Sequence, residues 1–263
     1  MAHVSLRAGS GVVAALVFAA AFVGVEPSSA AAKPDRAQVK TAALVNRPAI
    51  KRIASTNDAL SFDGWDRTVV KAIDARVLTL ALNAAQCAIG SGAVGQPPTL
   101  TIIDYSKPST EPRLWVLDLR TRQIVYEELV AHGQGSGGNL PDKFSNEPDS
   151  HQTSIDLFVT EGTYVGRNGY SLRLNGLERG FNDRAKERAI VMHGAPYVND
   201  AIGKSLGRLG RSHGCPAVRE PIARELIDHV KDGSLVFSYY PDTDWLATST
   251  FLNACQQASR QAD

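Results

Sequence analysis

Arg211-Ser212-His213-Gly214-Cys215-Pro216-Ala217-Val218 is the decisive stretch, together with Met192-His193-Gly194 upstream of it. A cysteine is a nucleophile only as its thiolate, and at an ordinary thiol pKa only ~3% is ionised at pH 7. An imidazole within hydrogen-bond reach removes that handicap. His193 follows the apolar run Ala189-Ile190-Val191-Met192, which reads as a buried strand. A histidine at a strand end, facing a cysteine in a glycine-containing turn, is the parts list of a cysteine acyl-transferase. The competing reading is a buried structural cysteine beside two satisfied histidines. Gly214, Pro216 and the second His-Gly pair favour the catalytic one.

Outward from this motif the pattern is that of short strands. Leu100–Ile103, Arg113–Asp118, Gln123–Glu127, Ile155–Thr160, Tyr170–Leu174, Ala189–Met192 and Leu235–Tyr239 are expected to be extended, the second and third forming a hairpin. A helix is expected from Trp65 to Ile89, with Val69, Ile73, Val77, Leu80 and Ala84 on one face and Gly90 as its stop. Gly90 to Pro98 reads as a linker. A second helix, Pro221–Val230, places Ile222, Leu226 and Val230 together. The chain is therefore expected to be mostly β (α+β), with a helical N-terminal portion. Between His132 and Gln152 lies a long glycine-rich and polar segment, a length at which loops in compact domains are usually functional.

The first residues bear on compartment. Arg7 precedes the apolar stretch Gly11–Val25, and small residues around Ala30 and Ala32 suit cleavage. Fifteen residues make about 22 Å of helix, against about 30 Å for a bilayer core. Residues 1–30 are thus expected to be an export signal, leaving no stable membrane anchor and a protein of the periplasm or cell envelope. A net charge of +1 argues against a nucleic-acid partner. The Gly133–Gly138 segment lacks the lysine of a phosphate-binding loop. His132, His151, His193, His213 and Cys215 fall at none of the close spacings of zinc motifs, so neither metal nor cofactor is expected. With Cys215 as nucleophile, Cys87 and Cys255 remain as a possible disulfide.

Ser212-His213-Gly214-Cys215 with His193-Gly194 resembles the signature of the YkuD-type L,D-transpeptidases, which crosslink bacterial peptidoglycan. The continuation Pro216-Ala217-Val218 is similar to the murein L,D-transpeptidase catalytic-domain branch. Ile102–Ser106, Val130–Gly133, Phe144–Asn146, Gly169–Leu177 and Gly207–Ser212 agree with it, so the resemblance covers about Leu100 to Tyr240. Pro216 departs from the core family, and Ala195–Arg211 is longer than in better-known members. The resemblance implies a YkuD-like β-sandwich or barrel catalytic domain over 96–263, preceded by a helical extension and linker over 31–95. It implies Cys215 as nucleophile and His193 as base, oriented by the Gly194 carbonyl. Gly214 and Cys215 would supply backbone donors to an oxyanion, and His213 is a further catalytic candidate. Arg208, Arg211, Arg173, Tyr197 and Asn199 are candidates for holding peptidoglycan stem peptides. A murein L,D-carboxypeptidase or endopeptidase, and a non-catalytic peptidoglycan-binding envelope protein, remain open alternatives.

Overall fold

A computed structural model describes residues 60–61, 64–253 and 255; the expected export signal over 1–30 and the first part of the 31–95 extension lie outside them. Among the described residues nine strands form one sheet: β1 (Thr99–Asp104), β2 (Leu114–Asp118), β3 (Gln123–Glu128), β4 (Val130–Ala131), β5 (Asp156–Gly166), β6 (Gly169–Gly176), β7 (Val191–Ala195), β8 (Ala217–Arg219) and β9 (Leu235–Tyr239). Their order across the sheet is β3-β2-β1-β9-β5-β6-β7-β8-β4. The β1–β9 and β7–β8 pairs are parallel and the others antiparallel. The two edge strands, β3 and β4, are separated in the chain by Leu129 alone. The sheet must therefore curl until its edges meet. Arg219 of β8 fastens that seam, donating to both carboxylate oxygens of Glu128 on β3 at 2.7 and 2.6 Å. Such a fork-on-fork pair fixes geometry as well as charge.

Strands β1, β2 and β9 are buried on both faces, which is why they read as continuous apolar runs. Leu100, Ile102, Trp115, Leu117 and Phe237 pack on one face, against α2 (Ala75–Gly90) and Trp245 of α5 (Thr243–Thr248). Ile103, Leu114, Val116 and Val236 face the other way, with Leu172, Met192 and the apolar side of α4 (Glu220–Val230). The helical portion thus shares its core with the sheet. Cys87 near the end of α2 is joined to Cys255 by a disulfide, tying residues 168 apart in sequence.

Several local expectations are corrected. The single helix over 65–89 is two, α1 (Arg67–Ala72) and α2, interrupted at Ile73-Asp74. The Asp74 carboxylate accepts from the Arg76 and Val77 amides and starts a new helix. Ile73 stays buried at the break, so the apolar stripe continues although the helix does not. Within α2 the expected Val77 and Ala84 are buried, together with Leu78, Ala81, Leu82, Ala85, Cys87 and Ala88, whereas Leu80 is half-buried. Strand β7 begins at Val191 rather than Ala189, because Ala189 has a left-handed backbone (φ +53°). The long 195–211 stretch contains a short helix, α3 (Asp200–Leu206).

Candidate active site

The site forms where β7 and β8 run parallel. His193 on β7 pairs with Ala217, two residues past Cys215, and the His193 amide donates to the Pro216 carbonyl at 3.4 Å. Both side chains are enclosed: His193 is 4% exposed and Cys215 is 8%. His193 Nδ1–H donates to the Gly194 carbonyl at 2.9 Å, which leaves the Nε2 lone pair as the proton acceptor. Burial holds the His193 pKa below the ordinary histidine value, partly offset by that carbonyl. Gly194 packs on α4, where any Cβ would come within 2.7 Å of the Ala223 methyl.

Burial also pushes the Cys215 thiol up, opposed by the Val191 N–H and by the Arg188 charge. In the resting site the thiol donates to the Ala189 carbonyl at 3.7 Å. The turn carrying Cys215 is held by Ser212, whose hydroxyl donates to the Cys215 carbonyl at 2.6 Å and accepts from the Gly214 amide at 3.1 Å. Of the two backbone donors expected at an oxyanion, the Gly214 N–H is thus engaged within the turn. Gly214 adopts φ +116°, and Gly133 lies against it. The Gln134 amide donates to Ser212 O at 2.8 Å and the Ser212 amide to His132 O at 3.0 Å, so the glycine-rich segment is fastened to the cysteine turn.

The other candidates are distributed around this centre. His213 is exposed and stacks on His151, with ring centroids 4.2 Å apart. Tyr197 packs on Gly210, its hydroxyl pushed up to about 12 by burial and then by the nearby Cys215. Asn199 caps α3, accepting from the Ile202 amide at 2.8 Å, which commits its side chain to structure. Arg211 donates to the Gly137 carbonyl at 2.7 Å, and Arg208 to the Leu209 carbonyl at 2.9 Å. Arg173 is exposed over the Tyr164 ring, 4.3 Å from its centroid. Ala189 and Val191, whose backbone meets the thiol, also line a groove of about 510 Å³ with Arg173, Tyr164, Lys186 and Glu161. Arg173 is the member of the expected binding set found there.

His132 is enclosed beneath the site, its Nδ1 accepting from the buried Arg113 guanidinium at 2.7 Å. Burial, then that guanidinium, lower its pKa to about 3, so it is a neutral structural histidine. Among the described residues no group of three or more His, Cys, Asp or Glu side chains could hold a metal ion. Also among them, no helix is long and apolar enough to cross a membrane.

A family model described as the L,D-transpeptidase catalytic domain matches residues 70–239, well over half of the 263-residue chain. The chain belongs to that family. The match takes in the second half of α1 and all of α2 as well as the sheet up to Tyr239. Solved structures similar to this L,D-transpeptidase domain share little sequence with it. An L,D-transpeptidase from Mycobacterium smegmatis is 15% identical, with a TM-score of 0.35, over 54% of this chain and 59% of its own. An L,D-transpeptidase (Yku) from Stackebrandtia nassauensis is 15% identical, with a TM-score of 0.34, over 61% and 66%. Bdellovibrio bacteriovorus Bd1075 is 14% identical, with a TM-score of 0.36, over 65% and 57%. This chain spans less than two thirds of the length of the first of these. No curated protein matches the sequence. The sequence motif pointed to Cys215 and His193, but not to the part Ser212 plays in bracing the cysteine turn.

Proposed function

We propose that this protein is an exported L,D-transpeptidase that acts on peptidoglycan stem peptides through a Cys215 thioester. The observation that carries the reading is the His193 Nδ1–H bond to the Gly194 carbonyl. It leaves the Nε2 lone pair free to accept the thiol proton, in a strand register that sets His193 beside the Cys215 turn. As the proton passes to Nε2, the sulfur attacks the carbonyl joining the third stem residue to a terminal D-alanine. The tetrahedral oxyanion is met by the Cys215 backbone N–H, a type of contact worth about 3–4 kcal/mol when preorganised. Collapse breaks the C–N bond, and the His193 proton goes to the departing D-alanine amine. An acceptor amine from a second stem then attacks the thioester, loses its proton to His193 and restores the thiol.

The groove beside Ala189 and Val191 seats the donor stem. The Arg173 guanidinium and the Lys186–Glu161 pair offer charges to its carboxylate and amine. Residues 1–30 serve as the export signal, delivering the chain to the periplasm or cell envelope. An oxidising compartment fits the Cys87–Cys255 bridge.

The test is incubation with disaccharide-tetrapeptide muropeptides, beside Cys215→Ala, with product masses read out. Crosslinked dimers formed by the wild type and absent from the variant are expected. Tripeptide without dimers would reassign the same chemistry to an L,D-carboxypeptidase. Untouched substrate would leave a peptidoglycan-binding role.

A further inference from the structure

Arg188 immediately precedes the residue whose carbonyl receives the Cys215 thiol proton. It is half-buried, and its guanidinium is spread over four neutral acceptors of one segment, 145–154. Nη1 donates to the Ser145 carbonyl and the Ser154 hydroxyl, both at 2.5 Å. Nη2 donates to the Ser150 hydroxyl at 3.1 Å and the Gln152 carbonyl at 2.6 Å. Among the described residues no carboxylate lies within ion-pair distance of it.

Its position relative to the nucleophile is equally specific. A Cβ placed on Gly214 would lie 3.4 Å from Arg188 Nη2 and 2.7 Å from the Gln152 carbonyl oxygen. The guanidinium and the residue before Cys215 therefore share one neighbour. An arginine serving only as a loop anchor needs hydrogen bonds. This one also brings a positive charge without an ion-pair partner to the turn where a negative sulfur must form.

We propose that Arg188 is a positioning residue for Cys215: its guanidinium, fixed by the 145–154 segment and without a carboxylate partner, supplies the positive field that favours the thiolate as the proton leaves. The inference rests on Cys215 being the nucleophile. The other groups around the thiol are the neutral His193 imidazole on β7, Tyr105 beyond β1 and Tyr197 beyond β7. On its own turn stands His213, stacked with His151, while Glu147 and Arg184 lie behind Arg188. Arg188 is the cation among these that both lowers the thiol pKa and is itself favoured by the thiolate. An opposite charge within ~4–6 Å typically moves a pKa by about 1–3.

The experiment needs no substrate. Cys87 and Cys255 are bridged, so iodoacetamide reports Cys215, the free thiol among the three cysteines. Its alkylation rate against pH would be measured for wild type, Arg188→Met and Arg188→Lys, with circular dichroism to check folding. Arg188→Met is expected to raise the apparent thiol pKa by about 1 or more, with kcat/KM on tetrapeptide falling at least tenfold. Arg188→Lys keeps the charge and is expected to stay within about 0.5 of wild type. A folded methionine variant with an unchanged thiol pKa overturns the proposal even if turnover is lost, because that result describes a structural anchor. If the methionine variant does not fold, the lysine variant decides: a rise of 1 or more there overturns it, and a value near wild type supports it. Turnover retained by Cys215→Ala would instead remove the nucleophile assignment, a result separable from the alkylation measurement.

Discussion

His193 and Cys215 are both enclosed, and burial acts on them in opposite directions: it lowers the imidazole pKa and raises that of the thiol. Both shifts favour a neutral imidazole and a neutral thiol over an ion pair at rest. In the proposed mechanism the proton passes during attack, with Arg188 and the Val191 N–H stabilising the sulfur. That mechanism requires His193 unprotonated. Because its pKa lies below the ordinary 6.5, kcat/KM should hold level down to about that pH and fall only below it. A pH–rate profile with its acid limb centred above 7 would contradict this arrangement.

At the scale of elements, the seam between β3 and β4 and the parallel β7–β8 pair bring the site together. Gly133, three residues past the start of β4, touches the Gly214 backbone. A Cβ there would overlap the His151 carbonyl oxygen and come within 2.8 Å of Gly214 Cα. Both obstacles are main chain, which has little room to yield. Gly133→Ala should displace the cysteine turn, costing roughly 1–3 kcal/mol of stability and at least tenfold in kcat/KM. Thermal melts and steady-state rates check it, and a wild-type rate would mean that the contact does not govern the turn. Strands β1, β2 and β9 were legible because burial on both faces writes them as unbroken apolar runs. Strands β4 and β8, of two and three residues, are too short to carry a period. The helix break at Asp74 was hidden because Ile73 continues the apolar stripe through it. Cys215 and His193 stand out as candidates from their motif alone, and the fold sets the two segments side by side. Arg188 does not stand out, because its meaning comes from acceptors 34 to 43 residues away, brought around it only by the fold.

Across the whole molecule, a buried polar cluster ties α5 and the chain after it to the sheet. Asp156, at the start of β5, accepts from Trp245 Nε1–H of α5, and Glu178 accepts from the Thr250 and Phe251 amides. Burial pushes the Asp156 carboxyl up to about 6, with Glu178 adding in the same direction. A raised acid pKa means that the folded state holds its proton more tightly than the unfolded chain. This contribution to stability is complete below the unfolded value of 3.8 and is lost as pH rises through about 6. Between pH 4.5 and 7.5 the wild type should lose about 2 kcal/mol relative to Asp156→Asn. Urea unfolding at the two pH values measures this, and a constant difference would show that Asp156 does not titrate in that window. The Cys87–Cys255 bridge ties the same C-terminal region to α2. By constraining so long a loop, such a bridge typically adds about 2–5 kcal/mol.

In the proposed mechanism Cys215 carries the acyl group with His193 as its base. The direct measurement is the intact mass of the protein after brief exposure to disaccharide-tetrapeptide, followed by peptide mapping, for wild type, Cys215→Ala and His193→Ala. A disaccharide-tripeptide adduct is expected on the peptide containing Cys215. It should be absent from the cysteine variant and form about 10² to 10⁴ times more slowly in the histidine variant. An adduct on another residue, or an undiminished rate without His193, would contradict that mechanism.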